Sequence, residues 1–200
     1  MDRGYPRDSA VRYVSDHHRL PDEQRFVLQR TIVSADTALR RMAKALRLPA
    51  LRDRAVFVDG YNTLITTQSL LAGYPVYLSD DGFLRDTRGF FKSDKASRVT
   101  ICAFSEILDL LAAAGAARVE VLLDQQISRS GELAKVVRRL MAERDLPGEA
   151  RCARDVDYQL KTCGSIVASS DGNVIDAASN VIDLPAEIAR GRGISPLLLE

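Results

Sequence analysis

Three apolar runs in this chain each end in an aspartate. Val56-Phe-Val58 runs into Asp59, Val119-Glu-Val-Leu-Leu123 into Asp124, and Ser165-Ile-Val-Ala-Ser169 through Ser170 into Asp171. Short runs this apolar are expected of central strands in a parallel sheet covered on both faces. A polar turn and a helix-like stretch follow each of them. Helical patterns over 97–114, 132–145, 157–163, 174–178 and 185–190 interleave with further strands at 150–153 and 181–184. Strands alternating with helices predict an α/β fold, a parallel-sheet three-layer α/β/α sandwich with right-handed crossovers.

Residues 1–53 read as a helical N-terminal region and 54–200 as the α/β domain. A short helix is expected over 9–17, capped by Asp8 or Ser9. A longer one starts at Leu20-Pro21-Asp22-Glu23, with proline in the first turn and acids at the positive end of the dipole. Phe26, Val27, Ile32, Val33, Leu39, Met42, Ala43 and Leu46 keep helical spacing to about residue 48, where Pro49 closes it. Residues 63–95 read as irregular, with a hairpin strand at 75–78 and a turn at Asp80-Asp81-Gly82.

Composition narrows the function classes. With 200 residues and ordinary apolar and charged fractions, the chain supports a buried core. It has no apolar stretch of membrane-spanning length and no signal-peptide core, which sets the expectation of a cytoplasmic protein without a membrane partner. A homo-oligomer stays open. Cys102, Cys152 and Cys163 lack Cys-x-x-Cys spacing, so neither a disulfide framework nor a zinc knuckle is expected, and Cys102 falls within a helical apolar pattern. Only His17 and His18 are available to a histidine-based site. Residues 1–54 carry twelve Lys/Arg against seven Asp/Glu, and the remainder sixteen against twenty. That asymmetry suits a basic flank holding a polyanion beside an acidic cleft. Equally, Arg40, Arg41, Lys44 and Arg47 read as the solvated face of a helix.

In open α/β sheets ligands bind outside the carboxyl ends of the strands. Three aspartates there repel one another unless a cation or a shared proton intervenes. Oxygen-only ligands favour Mg²⁺ or Mn²⁺ over zinc. The competing reading of each acid is a helix cap.

Val-Asp-Gly-Tyr-Asn62 resembles the opening strand of the NYN branch of the PIN-like nucleases. Arg154-Asp-Val-Asp-Tyr-Gln-Leu-Lys161, followed by Ile166-Val-Ala-Ser-Ser-Asp-Gly-Asn-Val-Ile-Asp176, resembles the second signature of those families. The resemblance implies a PIN-like sandwich and a metal-dependent nuclease hydrolysing phosphodiester bonds, with RNA ahead of DNA as the nucleic-acid partner. Asp59, Asp157 and Asp171 map onto its metal-binding acids, with Asp124 at the neighbouring strand end. Many PIN-like proteins carry a further acid where this chain has Asn173; Asp176 or Asp155 stands nearby as a substitute. The whole chain also resembles a two-part architecture, domain of unknown function 434 over roughly residues 1–54 and domain of unknown function 5616 beyond.

Several residues carry two readings. Asn62 and Ser170 either orient water or phosphate, or bond within the turn and strand end. Ser128, Arg129 and Ser130 precede a helix, where backbone amides and a guanidinium suit a phosphate, although either serine also serves as a plain N-cap. Tyr74, Tyr77, Phe83, Phe90 and Phe91, with Arg85, Arg88 and Lys92 among them, read as a stacking surface for bases or as packing of a long loop. Asp157 is either a catalytic acid or a helix cap. Beside the nuclease stands a non-catalytic PIN-like module that binds RNA or a protein. A haloacid-dehalogenase-type phosphatase needs an aspartate two residues after the first, and Tyr61 occupies that place.

Overall fold

The apolar runs become neighbouring strands of one parallel sheet. The computed structural model describes residues 1–87 and 98–199. Along the chain come α1 (Arg7–His17), α2 (Asp22–Thr31), α3 (Ala35–Met42), β1 (Ala45–Leu46), β2 (Ala55–Asp59) and α4 (Gly60–Leu71). A hairpin of β3 (Val76–Leu78) and β4 (Leu84–Asp86) follows, then α5 (Arg98–Ala113), β5 (Arg118–Asp124) and α6 (Ser130–Ala142). The chain closes with β6 (Gly148–Ala153), α7 (Val156–Thr162), β7 (Ile166–Ala168), α8 (Gly172–Ala177), β8 (Asn180–Ile182) and α9 (Leu184–Arg192). The six-stranded sheet has the order β1-β8-β7-β2-β5-β6, parallel throughout. Helices cover both faces, giving the three-layer α/β/α fold.

Strand periodicity decides which residues enter which layer. Val56, Val58, Val119, Val121, Ile166 and Ala168 point into a core shared with α5 and α6. Phe57, Leu122, Val167 and Val181 point the other way, against Leu160 of α7 and Val174 and Ile175 of α8. Asp59 shares Phe57's parity and pairs in register with Leu122, which aims it at the α7–α8 layer.

The N-terminal reading needs correction. The single helix expected from residue 20 to 48 is two helices, a strand and a 3₁₀ turn over Leu48–Leu51. The β-branched run Thr31-Ile-Val33 interrupts it, and Ser34 caps α3 by accepting from the Thr37 N–H. Asp80, from the hairpin turn, fixes the break: its carboxylate accepts from the Val33 N–H at 3.0 Å, and its own N–H donates to the Thr31 carbonyl. Residues 1–53 are therefore not purely helical, since β1 adds an edge strand beside β8. Residues 63–95 are not simply irregular either, because α4 runs on to Leu71 before the expected hairpin. Cys102 is exposed: α5 buries Thr100, Ala103, Phe104, Ile107, Leu108 and Leu111, and position 102 falls on the opposite face. Of the aromatic set, Phe83 is core, while Phe90, Phe91, Arg88 and Lys92 lie outside the described residues.

Gly60 is required by space rather than by torsion. A Cβ there would stand 2.7 Å from the Leu122 carbonyl oxygen and 2.7 Å from Leu123 Cδ2. The start of α4 thus lies directly on β5, which keeps Asp59 at the sheet edge. Gly60→Ala is expected to destabilise the protein by about 3 kcal/mol, as overpacking against backbone does. Guanidinium denaturation checks this; an unchanged midpoint would mean that β5 yields at no cost.

Candidate functional site

The chain order reverses at β2. From there it steps outward first to β5 and β6, then returns to β7 and β8 on the other side. The crevice beyond the carboxyl ends of β2 and β7 is such a sheet's natural binding place. Asp59 closes β2, and Asp171 follows β7.

Asp59 is 9% exposed. Its Oδ2 accepts from the Ser169 hydroxyl at 2.9 Å, and its Oδ1 from the Asn62 N–H at 3.3 Å, so it caps α4. Burial pushes its carboxyl up to about 7, against the pull of those two bonds, and the charges of Asp171 and Asp157 push the same way. Ser169 Oγ also accepts from the Asp171 N–H at 3.1 Å, joining the two aspartates through one hydroxyl. Asp171 Oδ1 accepts from the Asn173 and Val174 N–H groups, capping α8. Asn62 reaches across the crevice, and its Oδ1 accepts both the Ser170 N–H at 2.8 Å and the Ser170 hydroxyl at 2.9 Å. Both readings given to Asn62 and Ser170 thus begin from one contact: each is the other's partner.

Asp157 stays within electrostatic reach of Asp59, and the remaining expected residues separate. Asp157 sits in the first turn of α7, exposed, with Lys161 Nζ 4.0 Å from its carboxylate. The N-cap position of α7 belongs to Asp155, whose side chain makes no capping bond. Asp124 ends β5 and accepts from the Gln126 N–H at 2.8 Å, a local turn. Asp176 is held elsewhere, with both oxygens on the Arg41 guanidinium at 2.8 and 2.7 Å. That pairing, then the Arg41 and Lys44 charges, hold it below the usual carboxylate range. Asn173 contributes its backbone N–H to the Asp171 cap. Ser130 is buried and its hydroxyl accepts from the Cys152 thiol, while Arg129 pairs with Glu132 at 2.8 Å, so neither is presented bare to a phosphate. Ser128 is exposed on the same turn.

Three residues complete the site's frame, none of them given this role by the sequence, where Arg85 was read only within an aromatic stacking set. Ser169 joins the two aspartates. Asp81, read only as part of a turn, is fully buried between Arg85 and Arg41. Arg85 in turn donates from Nε to the Ser170 carbonyl at 3.0 Å, clamping the turn that carries Asp171. The spacing Asp81–Arg85 was the available signal; the partner Arg41 was 40 residues away.

A divalent cation fits this chemistry in a restricted way. The buried Asp59 carboxylate, disfavoured by its surroundings and faced by two further acids, is the kind of charge a cation relieves. Among the described residues no three acidic, histidine or cysteine side chains come together as a metal cage. An ion here would rest on Asp59 and Asp171 with water filling the remaining positions, as Mg²⁺ commonly does.

The family described as Domain of unknown function (DUF5616) matches residues 48–187, and that described as Protein of unknown function (DUF434) matches residues 1–44. An uncharacterized protein of Methanocaldococcus jannaschii is 32% identical over 189 residues, covering 94% of this chain and 90% of its own length. No solved structure matches. No helix among the described residues is long and apolar enough to cross a membrane.

A pH test isolates Asp59. A carboxyl that holds its proton more tightly folded than unfolded makes the protein lose stability as pH rises from about 4 through about 7. In metal-free buffer Asp59→Asn is therefore expected to gain several degrees in Tm over wild type at pH 8, and little or nothing at pH 4. A difference between the two proteins that stays constant across that range would contradict the assignment.

Proposed function

We propose that this chain, which belongs to the family described as Domain of unknown function (DUF5616), is a PIN-like, metal-dependent nuclease that hydrolyses phosphodiester bonds, with RNA as the preferred substrate. What supports the reading above all is Asp59: a buried carboxylate at the reversal point of the sheet, joined through Ser169 to Asp171 and within electrostatic reach of Asp157.

In this reading Asp59 and Asp171 hold Mg²⁺ or Mn²⁺, with Asp157 at the outer edge. The ion supplies Lewis acidity that offsets charge developing on the phosphate. The protein's own part is positioning. Asn62, with its Oδ1 taken by Ser170, has its amide N–H groups left among the described residues to donate to a phosphate oxygen. Ser169 ties the Asp59 carboxylate to the backbone that carries Asp171, which limits the reorganisation needed as the reaction proceeds. Asp157, exposed in the first turn of α7 and within electrostatic reach of Asp59, takes the proton released by the attacking water.

A second reading, a PIN-like module that binds RNA or a protein without cleaving, draws on two observations. Asn173 stands where many PIN-like proteins have a further acid, and no cage of three ligating side chains occurs among the described residues.

Calorimetric titration of Mn²⁺ into wild type and an Asp59→Asn/Asp171→Asn double variant, paired with cleavage of labelled single-stranded RNA, separates these. The nuclease reading expects micromolar to millimolar Mn²⁺ binding and metal-dependent cleavage, with cleavage falling at least a hundredfold in the variant. Binding without cleavage across RNA and DNA substrates would favour the second reading. A wild type that binds no Mn²⁺ would remove both the metal site and the catalysis.

A further inference from the structure

Beside the acidic crevice lies a cavity of about 310 Å³ whose wall includes Arg7, Arg30, Arg41, Arg85, Ser170 and Asp171. It forms where α1 and α2 meet the hairpin and the turn after β7, so two of its lining residues, Ser170 and Asp171, are shared with the candidate site. We infer that this cavity is a subsite for a phosphate monoester, the terminal phosphate of a nucleic-acid strand whose neighbouring linkage lies at Asp59 and Asp171. The assignment rests on the nuclease reading.

Four guanidinium groups around one small cavity need a reason, because each could reach solvent on its own. Half-exposed Asp176 holds Arg41 from the α8 side and exposed Asp8 lies near Arg7, while two further carboxylates that balance the group stand behind the wall. Asp81 is fully buried between Arg41 and Arg85, and Asp86 is 3% exposed. Asp171 is the one acid in the wall among the described residues, and its Oδ1 is engaged by the α8 amides. Gly172 lets Arg41 come close, since a Cβ there would stand 2.6 Å from Nη2.

Arg30 and Arg7 are the least satisfied of the four. The closest carboxylate to Arg30 is Asp86 at 3.9 Å, and its buried Nε finds no hydrogen-bond partner among the described residues. Arg7 donates to the carbonyls of Ile32 and Gln29, and among the described residues its ion pair is with exposed Asp8 at 3.7 Å, with Asp81 acting from further away. Burial lowers its proton affinity, with Arg85 and Arg41 adding to the effect, so a further negative charge is welcome there. A monoester brings two charges and three acceptor oxygens, which suits forked guanidinium donors better than the single charge of an internal diester.

The test is binding without divalent metal, read by calorimetry with inorganic phosphate, adenosine 5′-monophosphate, adenosine 3′-monophosphate and adenosine as probes. Phosphate and at least one monophosphate are expected to bind, and adenosine is not; the tighter monophosphate identifies which strand end the subsite takes. Arg30→Gln is expected to weaken binding at least tenfold while the protein stays folded, and Arg30→Lys to weaken it less. Absence of phosphate and monophosphate binding at millimolar concentration, or equal binding by wild type and a folded Arg30→Gln, would overturn the subsite. Cleavage of 5′- and 3′-phosphorylated and unphosphorylated RNA at equal rates, without such binding, would remove the subsite and leave the nuclease. Binding without any cleavage would keep the subsite and remove the nuclease.

Discussion

Asp81 is fully buried, and its carboxylate meets two guanidinium groups: Arg85 through both oxygens at 2.7 and 2.8 Å, and Arg41 at 2.9 Å. Burial alone would raise its proton affinity, but the bonds and charges of the two arginines outweigh this and hold it ionised. An ion cluster of this kind is weak evidence for net stability, yet removing one partner strands a buried charge at a cost of about 3–5 kcal/mol. The cluster therefore acts as a lock on geometry. Arg41 belongs to α3 and also grips Asp176 of α8; Asp81 and Arg85 belong to the hairpin; Arg85 holds the Ser170 carbonyl. One buried carboxylate thus ties the N-terminal segment, the hairpin and the turn after β7 into a single arrangement.

The candidate site inherits that arrangement. Ser170, fixed by Arg85, is fixed again by Asn62, which sits in the first turn of α4 just beyond Asp59. The same turn, through Ser170 and Asp171, therefore borders both the acids and the arginines. In the proposed reading, the acids take a cation and the guanidinium groups a polyanion, each offsetting what the other repels.

Much of this was legible in the sequence. The alternation of apolar runs and helical stretches specified the three-layer sandwich, because a strand that is apolar on both faces has to be covered on both. The strand-end aspartates were legible for the same reason: the end of such a strand is where a polar side chain first meets the crevice. The N-terminal segment was not. Leu39 and Met42 looked like core positions and Arg41 like a solvated one, whereas α3 exposes the first two and buries the arginine. Helical periodicity carries no information about a partner 135 residues away, and Arg41 is buried only because Asp81 and Asp176 are there to meet it. Asp176 was misplaced from the same cause, as its spacing from Asp171 says nothing of Arg41. The break at 31–34 depended likewise on Asp80, which caps it from a distant turn.

We propose that Asp59 and Asp171 together form a cation site at the reversal point of the sheet, and anomalous diffraction from crystals equilibrated with Mn²⁺ tests it. The expected result is a peak within coordination distance of both carboxylates, absent from an Asp59→Asn crystal treated identically. A map in which saturating Mn²⁺ leaves that position empty, or places the ion on other residues, would rule that site out.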